Sequence, residues 1–182
     1  MINKEHYQFI RQHPAFENFP VESFDKLAIE IQFHKVSKGQ IIFFSGDRRD
    51  RLFLLYQGYA RIEQYDATDT FSYTDYIKKG NVFPYGGIFF DERYHYTASA
   101  VTQVEYFSIP MKLFEDFSKK NVNQLLFITQ KLSKILEFQE LRLRNVVAVS
   151  ATDRVVQSLS ILCMDLCKTG DVLPFPISMK EL

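Results

Sequence analysis

The side chains best suited to chemistry are few and lie far apart in the chain. Cys163 and Cys167 lie four residues apart, on one face of a predicted helix. Two thiolates cannot close a zinc or iron–sulfur site alone, so we interpret them as buried structural thiols, with a redox sensor as the alternative. The histidines are scattered, and no phosphate-binding glycine loop or catalytic triad order stands out. We therefore expect no enzyme activity, no metal and no cofactor.

An aromatic cluster is the strongest candidate for a binding region. Its six members fall within fourteen positions: Phe83, Tyr85, Phe89, Phe90, Tyr94 and Tyr96. Two interpretations are open. The rings either fill the core of a sheet domain or line an apolar pocket for a small-molecule effector.

Short segments rich in β-branched and aromatic residues surround this cluster. The predicted strands are 33–36, 40–44, 52–56, 59–65, 71–77, 96–100 and 104–109, separated by glycine turns. Short strands with regularly spaced turns are typical of a sandwich or barrel. We therefore predict an α+β chain built on a β-sandwich or barrel, with helices on either side.

Helical patterns precede and follow the strands. Short helices are predicted within 1–32 and over 112–118. A long helix follows, capped by Asn121 or Asn123, and runs to about Val149 without an internal glycine or proline. After a break near Ser150, Thr152 or Asp153 is predicted to cap another helix that ends at about Gly170. Its predicted buried stripe is Val155, Val156, Leu159, Leu162, Cys163 and Leu166.

The long helix has apolar residues on more than one face, which calls for a covering surface beyond its own barrel. We predict a homodimer in which two copies pair along this helix. The predicted contacts are Leu125, Ile128, Leu132, Ile135, Leu136, Gln139, Leu143 and Val146. The expected divisions are a sensor over 1–110, the short and long helices over 111–149, and a hinge with an output region over 150–182.

Composition limits the class of protein. The 182 residues carry 22 basic and 22 acidic side chains, so the formal net charge is zero, whereas nucleic-acid-binding domains are usually basic. No apolar run reaches the length of a membrane span, and the polar first residues do not predict a signal peptide. We expect a cytoplasmic protein with no membrane partner.

The order of these elements, with four local segments, resembles the Crp/Fnr family of bacterial transcription regulators. The segments are Lys38–Asp47, Leu54–Ile62, Lys79–Phe83 and the stretch that begins Asp153-Arg154. The resemblance covers nearly the whole chain. It implies the double-stranded β-helix, or jelly roll, of the cyclic-nucleotide-binding domain. It also implies a dimerisation helix and a hinge at Ser150, Thr152, Asp153 and Arg154.

The chain departs from this family where cyclic nucleotides are bound. Nucleotide-binding members have Gly-Glu for the ribose and Arg-Ser or Arg-Thr for the phosphate, whereas this chain has Pro84-Tyr85 and Tyr94-His95. The resemblance therefore implies an effector other than a cyclic nucleotide. A cyclic-nucleotide-binding module of another protein class is the alternative. The implied effector pocket comprises Phe83, Tyr85, Gly86, Gly87, Tyr94, His95 and Thr97, with Gln139 and Glu140 from the long helix.

The Val82–Pro84 run favours two Gram-positive branches, the arginine deiminase pathway regulators and, less closely, the listerial-type virulence activator. The resemblance also implies a winged helix-turn-helix that binds operator DNA. Its first helix is expected near Ile177, with Ser178 as the cap and Glu181 completing a capping box. We expect the chain to lack the rest of that domain.

Overall fold

A computed structural model describes residues 2–65, 72–146, 150–167 and 172–178. The helices are α1 (Lys4–Arg11), α2 (Val21–Glu30), α3 (Met111–Lys119), α4 (Val122–Val146) and α5 (Ala151–Leu166). The strands are β1 (Gln32–Val36), β2 (Ile41–Phe43), β3 (Arg51–Gln57), β4 (Tyr59–Tyr65), β5 (Ser72–Lys78), β6 (Val82–Phe83), β7 (Thr97–Ala100) and β8 (Val104–Pro110).

The strands form two antiparallel four-stranded sheets. The first has the order β1-β8-β3-β6 and the second β2-β7-β4-β5. Strands that are distant in sequence are neighbours in both sheets, and this places Phe53 opposite Phe83 and Ile62 opposite Ala98. The predicted jelly roll with flanking helices is therefore confirmed.

Two hydrophobic clusters lie on opposite faces of the first sheet. Leu52 and Leu54 of β3 join the cluster formed with the N-terminal helices and α3, which we call the helix-side core. Phe53 and Leu55 point the other way and join the cluster between the sheets, which we call the inter-sheet core. This alternation follows from the two-residue repeat of a strand, and it explains why β3 is apolar at successive positions.

The strand prediction was incomplete at β6. This strand has only Val82 and Phe83, which pair with Leu54 and Phe53. Two residues are too few to show a period in a sequence, so β6 is defined only by its partner strand. The turn between β3 and β4 is defined by Gly58, whose φ is +87° and whose Cα approaches the carbonyl oxygen of Gln103 too closely for a Cβ.

Helix α4 is anchored at its first turn. The Asn121 side chain accepts from the Gln124 backbone N–H at 3.1 Å and donates to the Asn18 carbonyl oxygen at 2.6 Å. The buried Gln124 amide donates to the Ala15 carbonyl oxygen at 2.8 Å. Asn121 is therefore the cap, one of the two predicted residues, and α4 continues for 25 residues, about 37 Å at the usual helical rise.

Helix α5 begins at a different cap from the predicted one. Ser150 accepts from the Asp153 backbone N–H at 3.1 Å, so Thr152 and Asp153 lie inside the first turn. Val155 and Val156 are exposed, so the predicted buried stripe is wrong at its first two positions. The helix ends at Leu166 with Cys167 as its C-cap. The predicted stop at Gly170 and the capping residue Glu181 lie outside the described residues.

The chain divides into two compact units, residues 1–128 and 129–182, with the division inside α4. The first unit holds both sheets and helices α1 to α3. The second holds the rest of α4 and α5, with Ile161, Leu162, Leu166 and Phe175 buried. The predicted divisions at 110/111 and 149/150 stay predictions.

Candidate functional site

The predicted effector residues of the first unit do not share one environment. Phe83 is buried in the inter-sheet core, whereas Tyr85 is buried in the helix-side core. The two side chains therefore lie on opposite faces of the first sheet. Gln139 and Glu140 belong to the second unit.

Aromatic rings fill the inter-sheet core beside β6 and β7. Phe43 stacks on Tyr94 with ring centroids 4.0 Å apart and on Phe53 at 5.2 Å. Phe53 also contacts Phe83 at 5.5 Å and Tyr106 at 5.7 Å. Offset and edge-on ring contacts at these distances stabilise a core beyond the area that they bury. For Phe83 and Tyr94 the geometry favours the core-filling interpretation of the aromatic cluster.

Tyr94 is also fixed through its hydroxyl. It donates to the Arg51 carbonyl oxygen at 2.8 Å and accepts from the Arg51 backbone N–H at 3.2 Å. Burial raises the pKa of Tyr94 to about 12, so the phenol is neutral at physiological pH. Tyr96 is half-buried, and its pKa is also raised, first by burial and then by nearby Tyr73 and Asp75. Both rings therefore offer hydroxyl groups and not phenolates.

The segment between β6 and β7 folds back on itself around Asp91. Gly87 has a φ of +74°, and the Asp91 carboxylate occupies the space that a Cβ would need there. The same carboxylate contacts Nε2 of the exposed His95 at 2.7 Å. We refer to residues 86–95 as the cover segment. Gly86 and His95 lie in this segment, and Thr97 follows it and accepts from the Ser45 backbone N–H at 3.1 Å.

A second set of residues, which no local sequence pattern predicts, lies beneath the cover segment. The Arg49 guanidinium is buried and forms an ion pair with Glu115 of α3 at 3.2 Å. The same Arg49 nitrogen donates to the Asp91 carbonyl oxygen at 3.1 Å, and Glu115 accepts from the Phe89 backbone N–H at 2.9 Å. A run of Arg48, Arg49, Asp50 and Arg51 reads as a solvated turn, so the sequence does not distinguish its buried member.

The predicted dimer residues fall into two groups. Ile128 is only 2% exposed and belongs to the helix-side core, and Leu125 is half-buried. Leu132, Ile135, Leu136 and Leu143 are exposed, with Leu136 at 59% and Leu143 at 66%. Gln139 is half-buried, and the side chain of Val146 lies outside the described residues. The exposed residues follow a helical spacing of three and four, so they share one face of α4. We call this face the α4 stripe.

The predicted hinge residues form the start of α5. The Ser150 hydroxyl donates to the Asp153 carboxylate at 2.6 Å, and the Asp153 backbone N–H donates back to the Ser150 oxygen. Arg154 donates its backbone N–H to the Ser150 carbonyl oxygen at 3.1 Å, while Thr152 is exposed. These contacts define a helix start, and the hinge role itself stays a prediction.

Two classes of site find no support in the described part of the chain. No group of three or more His, Cys, Asp or Glu side chains there could hold a metal ion. Cys163 and Cys167 are half-buried. Among the same residues, no helix has the length and apolarity to cross a membrane.

Comparison with known proteins gives one consistent result. Residues 33–121 match the family described as the cyclic nucleotide-binding domain. The Global nitrogen regulator of Synechococcus elongatus is 25% identical over 157 residues, which cover 83% of this chain and 70% of that protein.

Solved structures share the fold. The sensor domain of the transcriptional regulator DNR from Pseudomonas aeruginosa aligns with a TM-score of 0.64 at 22% identity, over 80% of this chain and 99% of that one. The Catabolite Activator Protein of Thermus thermophilus aligns with a TM-score of 0.58 at 19% identity, over 73% of this chain and 62% of that one. Residues 33–121 therefore have the jelly-roll fold of the cyclic nucleotide-binding domain, which the transcriptional regulator DNR and the Catabolite Activator Protein share.

Proposed function

We propose that this chain is the sensor and dimerisation part of a Crp/Fnr-like transcription regulator. The fold is that of the sensor domains of such regulators, and DNR and the Global nitrogen regulator are regulators by name. In this proposal, operator DNA is bound by a helix-turn-helix domain that follows α5. Two such domains, held by a dimer, read two half-sites about one helical turn apart.

The observation that carries the proposal is the α4 stripe. Leucine and isoleucine side chains with a spacing of three and four are the pattern with which parallel helices pair. Leu136 and Leu143, seven residues apart and more than half exposed, are its centre. We propose a second copy of this chain as the covering surface, with Leu132, Ile135 and Gln139 also in the contact. Ile128 is left out because it is buried in its own unit.

Light scattering and sedimentation test this step directly. The chain is expected to behave as a dimer at micromolar concentration. Leu136→Glu is expected to give single subunits, because each copy would bring a carboxylate into an apolar contact. Lys134→Glu, which places a carboxylate on the opposite side of α4, is the control and is expected to stay dimeric. Monomeric wild-type chain at high concentration, with α4 folded, contradicts the proposal.

The effector in this proposal is not a cyclic nucleotide. Pro84 and Tyr85 stand where the resemblance implies Gly-Glu, and Tyr85 is buried in the helix-side core. Tyr94, aligned with the phosphate-binding arginine, has its hydroxyl bonded to the Arg51 backbone. Tyr85 carries no carboxylate to accept from a ribose hydroxyl as the family's Glu does. Tyr94 carries no positive charge to neutralise a cyclic phosphate as the family's Arg does. The Phe83-Pro84 pair keeps the arginine deiminase branch as the favoured assignment.

A further inference from the structure

Arg49 has more hydrogen-bond donors than its neighbours satisfy. Its side chain is 2% exposed. One terminal nitrogen serves both Asp91 and Glu115, while Nε and the other terminal nitrogen are buried without an acceptor among the described residues. A guanidinium carries five N–H groups, and buried donors without a partner destabilise the folded state. A planar oxyanion satisfies such a pair of nitrogens in two parallel hydrogen bonds.

The unsatisfied nitrogens belong to a residue beneath the cover segment. The Arg49 backbone N–H donates to the Glu92 carbonyl oxygen at 2.8 Å, and its side chain reaches the Asp91 carbonyl oxygen. Arg49 therefore contacts two successive residues of the segment. It precedes β3 and is not one of the residues that the family uses for a phosphate.

Hydroxyl donors are within electrostatic reach of the same charge. Burial raises the pKa of Tyr94 and of Tyr96, and the positive charge of Arg49 lowers both pKa values in part. The Tyr94 hydroxyl is occupied by the Arg51 backbone. The Tyr96 ring packs against the same core, with its centroid 5.8 Å from that of Phe43. A neutral phenol can donate a hydrogen bond to an anion and adds no competing negative charge.

We propose that Arg49 is the receptor for a small oxyanion, a carboxylate or a phosphate, bound beneath the cover segment. This proposal rests on the sensor role and names the chemical class of the effector. Phe43 and Tyr94 stack with ring centroids 4.0 Å apart, so a nucleobase does not fit between them, and the proposal therefore names a small anion.

Occupancy of Arg49 is linked to α3 through Glu115. One oxygen of Glu115 accepts from both Arg49 and the Phe89 backbone N–H. Phe89 has a φ of 67°, which is unfavourable for a residue with a side chain, and Lys119 of α3 lies 5.5 Å from its ring centroid. An incoming anion competes with Glu115 for the guanidinium and weakens the hold of α3 on the cover segment. Lys120 and Asn121 join α3 directly to α4. A weaker contact between α3 and the cover segment is therefore passed along the chain toward the α4 stripe.

Titration calorimetry and thermal melting of the 182-residue chain test the site, with sodium phosphate and sodium succinate as probes. Sodium chloride at matched ionic strength is the reference. We expect one of the two probes to raise the melting temperature above the value in sodium chloride. A rise with phosphate indicates a phosphate site, and a rise with succinate indicates a carboxylate site. Arg49→Gln is expected to abolish the shift. Arg93→Gln, which removes an exposed arginine of the same segment, is expected to retain it.

Glu115→Gln gives a test in the opposite direction. The amide oxygen still accepts from Phe89, but the competing charge is gone, so we expect the probe to bind about tenfold more tightly. The affinity of Glu115→Gln for the probe tests the site even where Arg49→Gln does not fold. The proposal is overturned by a full shift in folded Arg49→Gln, or by equal affinity in Glu115→Gln and wild type. Either result leaves the dimer test on Leu136 untouched, so failure of the site and failure of the regulator proposal are distinguishable.

Discussion

At the residue scale, the tyrosines of the inter-sheet core differ in what their hydroxyls do. Tyr94 exchanges two hydrogen bonds with the Arg51 backbone at the start of β3. It thereby joins the cover segment to the first sheet, while its ring stacks on Phe43. Tyr96, two residues later, contributes ring packing without a described hydrogen bond. The hydroxyl is therefore structural at one position and available at the other.

This difference predicts opposite results for two matched substitutions. Tyr94→Phe keeps the ring but leaves the Arg51 N–H and C=O without their partner, so we expect a loss of about 1 to 2 kcal/mol of unfolding free energy. Tyr96→Phe should change it by less than about 0.5 kcal/mol. Urea denaturation followed by circular dichroism measures both. Equal losses in the two variants contradict this assignment of the Tyr94 hydroxyl.

At the element scale, the start of α4 decides how the long helix is attached to the first unit. Asn121 caps the helix and holds the carbonyl oxygen of Asn18, and Gln124 holds that of Ala15. Both acceptors belong to the segment between α1 and α2. A polar anchor of this kind holds the first turn of α4 against the segment between α1 and α2, whereas apolar packing alone is less directional.

The two functions of Asn121 can be separated by substitution. Asn121→Ala removes the cap and the bond to Asn18, and we expect a loss of about 1 to 2 kcal/mol. Asn121→Asp keeps a capping oxygen but has no N–H to donate, so it should fall between Asn121→Ala and wild type. Chemical denaturation gives the order. An Asp variant as unstable as the Ala variant shows that the bond to Asn18, and not the cap, is what stabilises α4.

Element prediction from the sequence succeeded where a period repeats and failed where contacts are distant. The long α4 and the alternating β4 carry their own periods, so their patterns are sufficient. β6 exists because Phe83 pairs with Phe53, thirty positions away in the chain, and no local pattern encodes that. The sequence does not identify Ser150 as the α5 cap, because Thr152 and Asp153 are also good capping residues. The extended backbone at Ser150 is what makes it the cap.

At the scale of the whole molecule, the site was harder to predict than the fold. The resemblance places the predicted effector pocket mainly within residues 83–97, but it does not predict which face of the sheet each side chain takes. Tyr85 lies on the helix side, and the most unusual group beneath the cover segment, Arg49, comes from a charged turn. Burial of a charge depends on tertiary packing. The local sequence therefore does not predict that Arg49 has buried nitrogens without a hydrogen-bond acceptor.

Cyclic AMP is not expected to stabilise this chain. The inter-sheet core is filled by rings, and the positions matched to the family's ribose and phosphate ligands hold Pro84-Tyr85 and Tyr94-His95. Only a ligand that prefers the native state raises the melting temperature, and the rise grows with ligand concentration over Kd. We therefore expect 100 micromolar cyclic AMP, an amount on the order of a hundred times the Kd of a tight site, to leave the melting temperature unchanged. Adenosine monophosphate at the same concentration controls for nonspecific nucleotide effects. A rise that grows with cyclic AMP concentration and is absent with adenosine monophosphate makes this chain a nucleotide sensor, and the aromatic core would then have to open to admit the base.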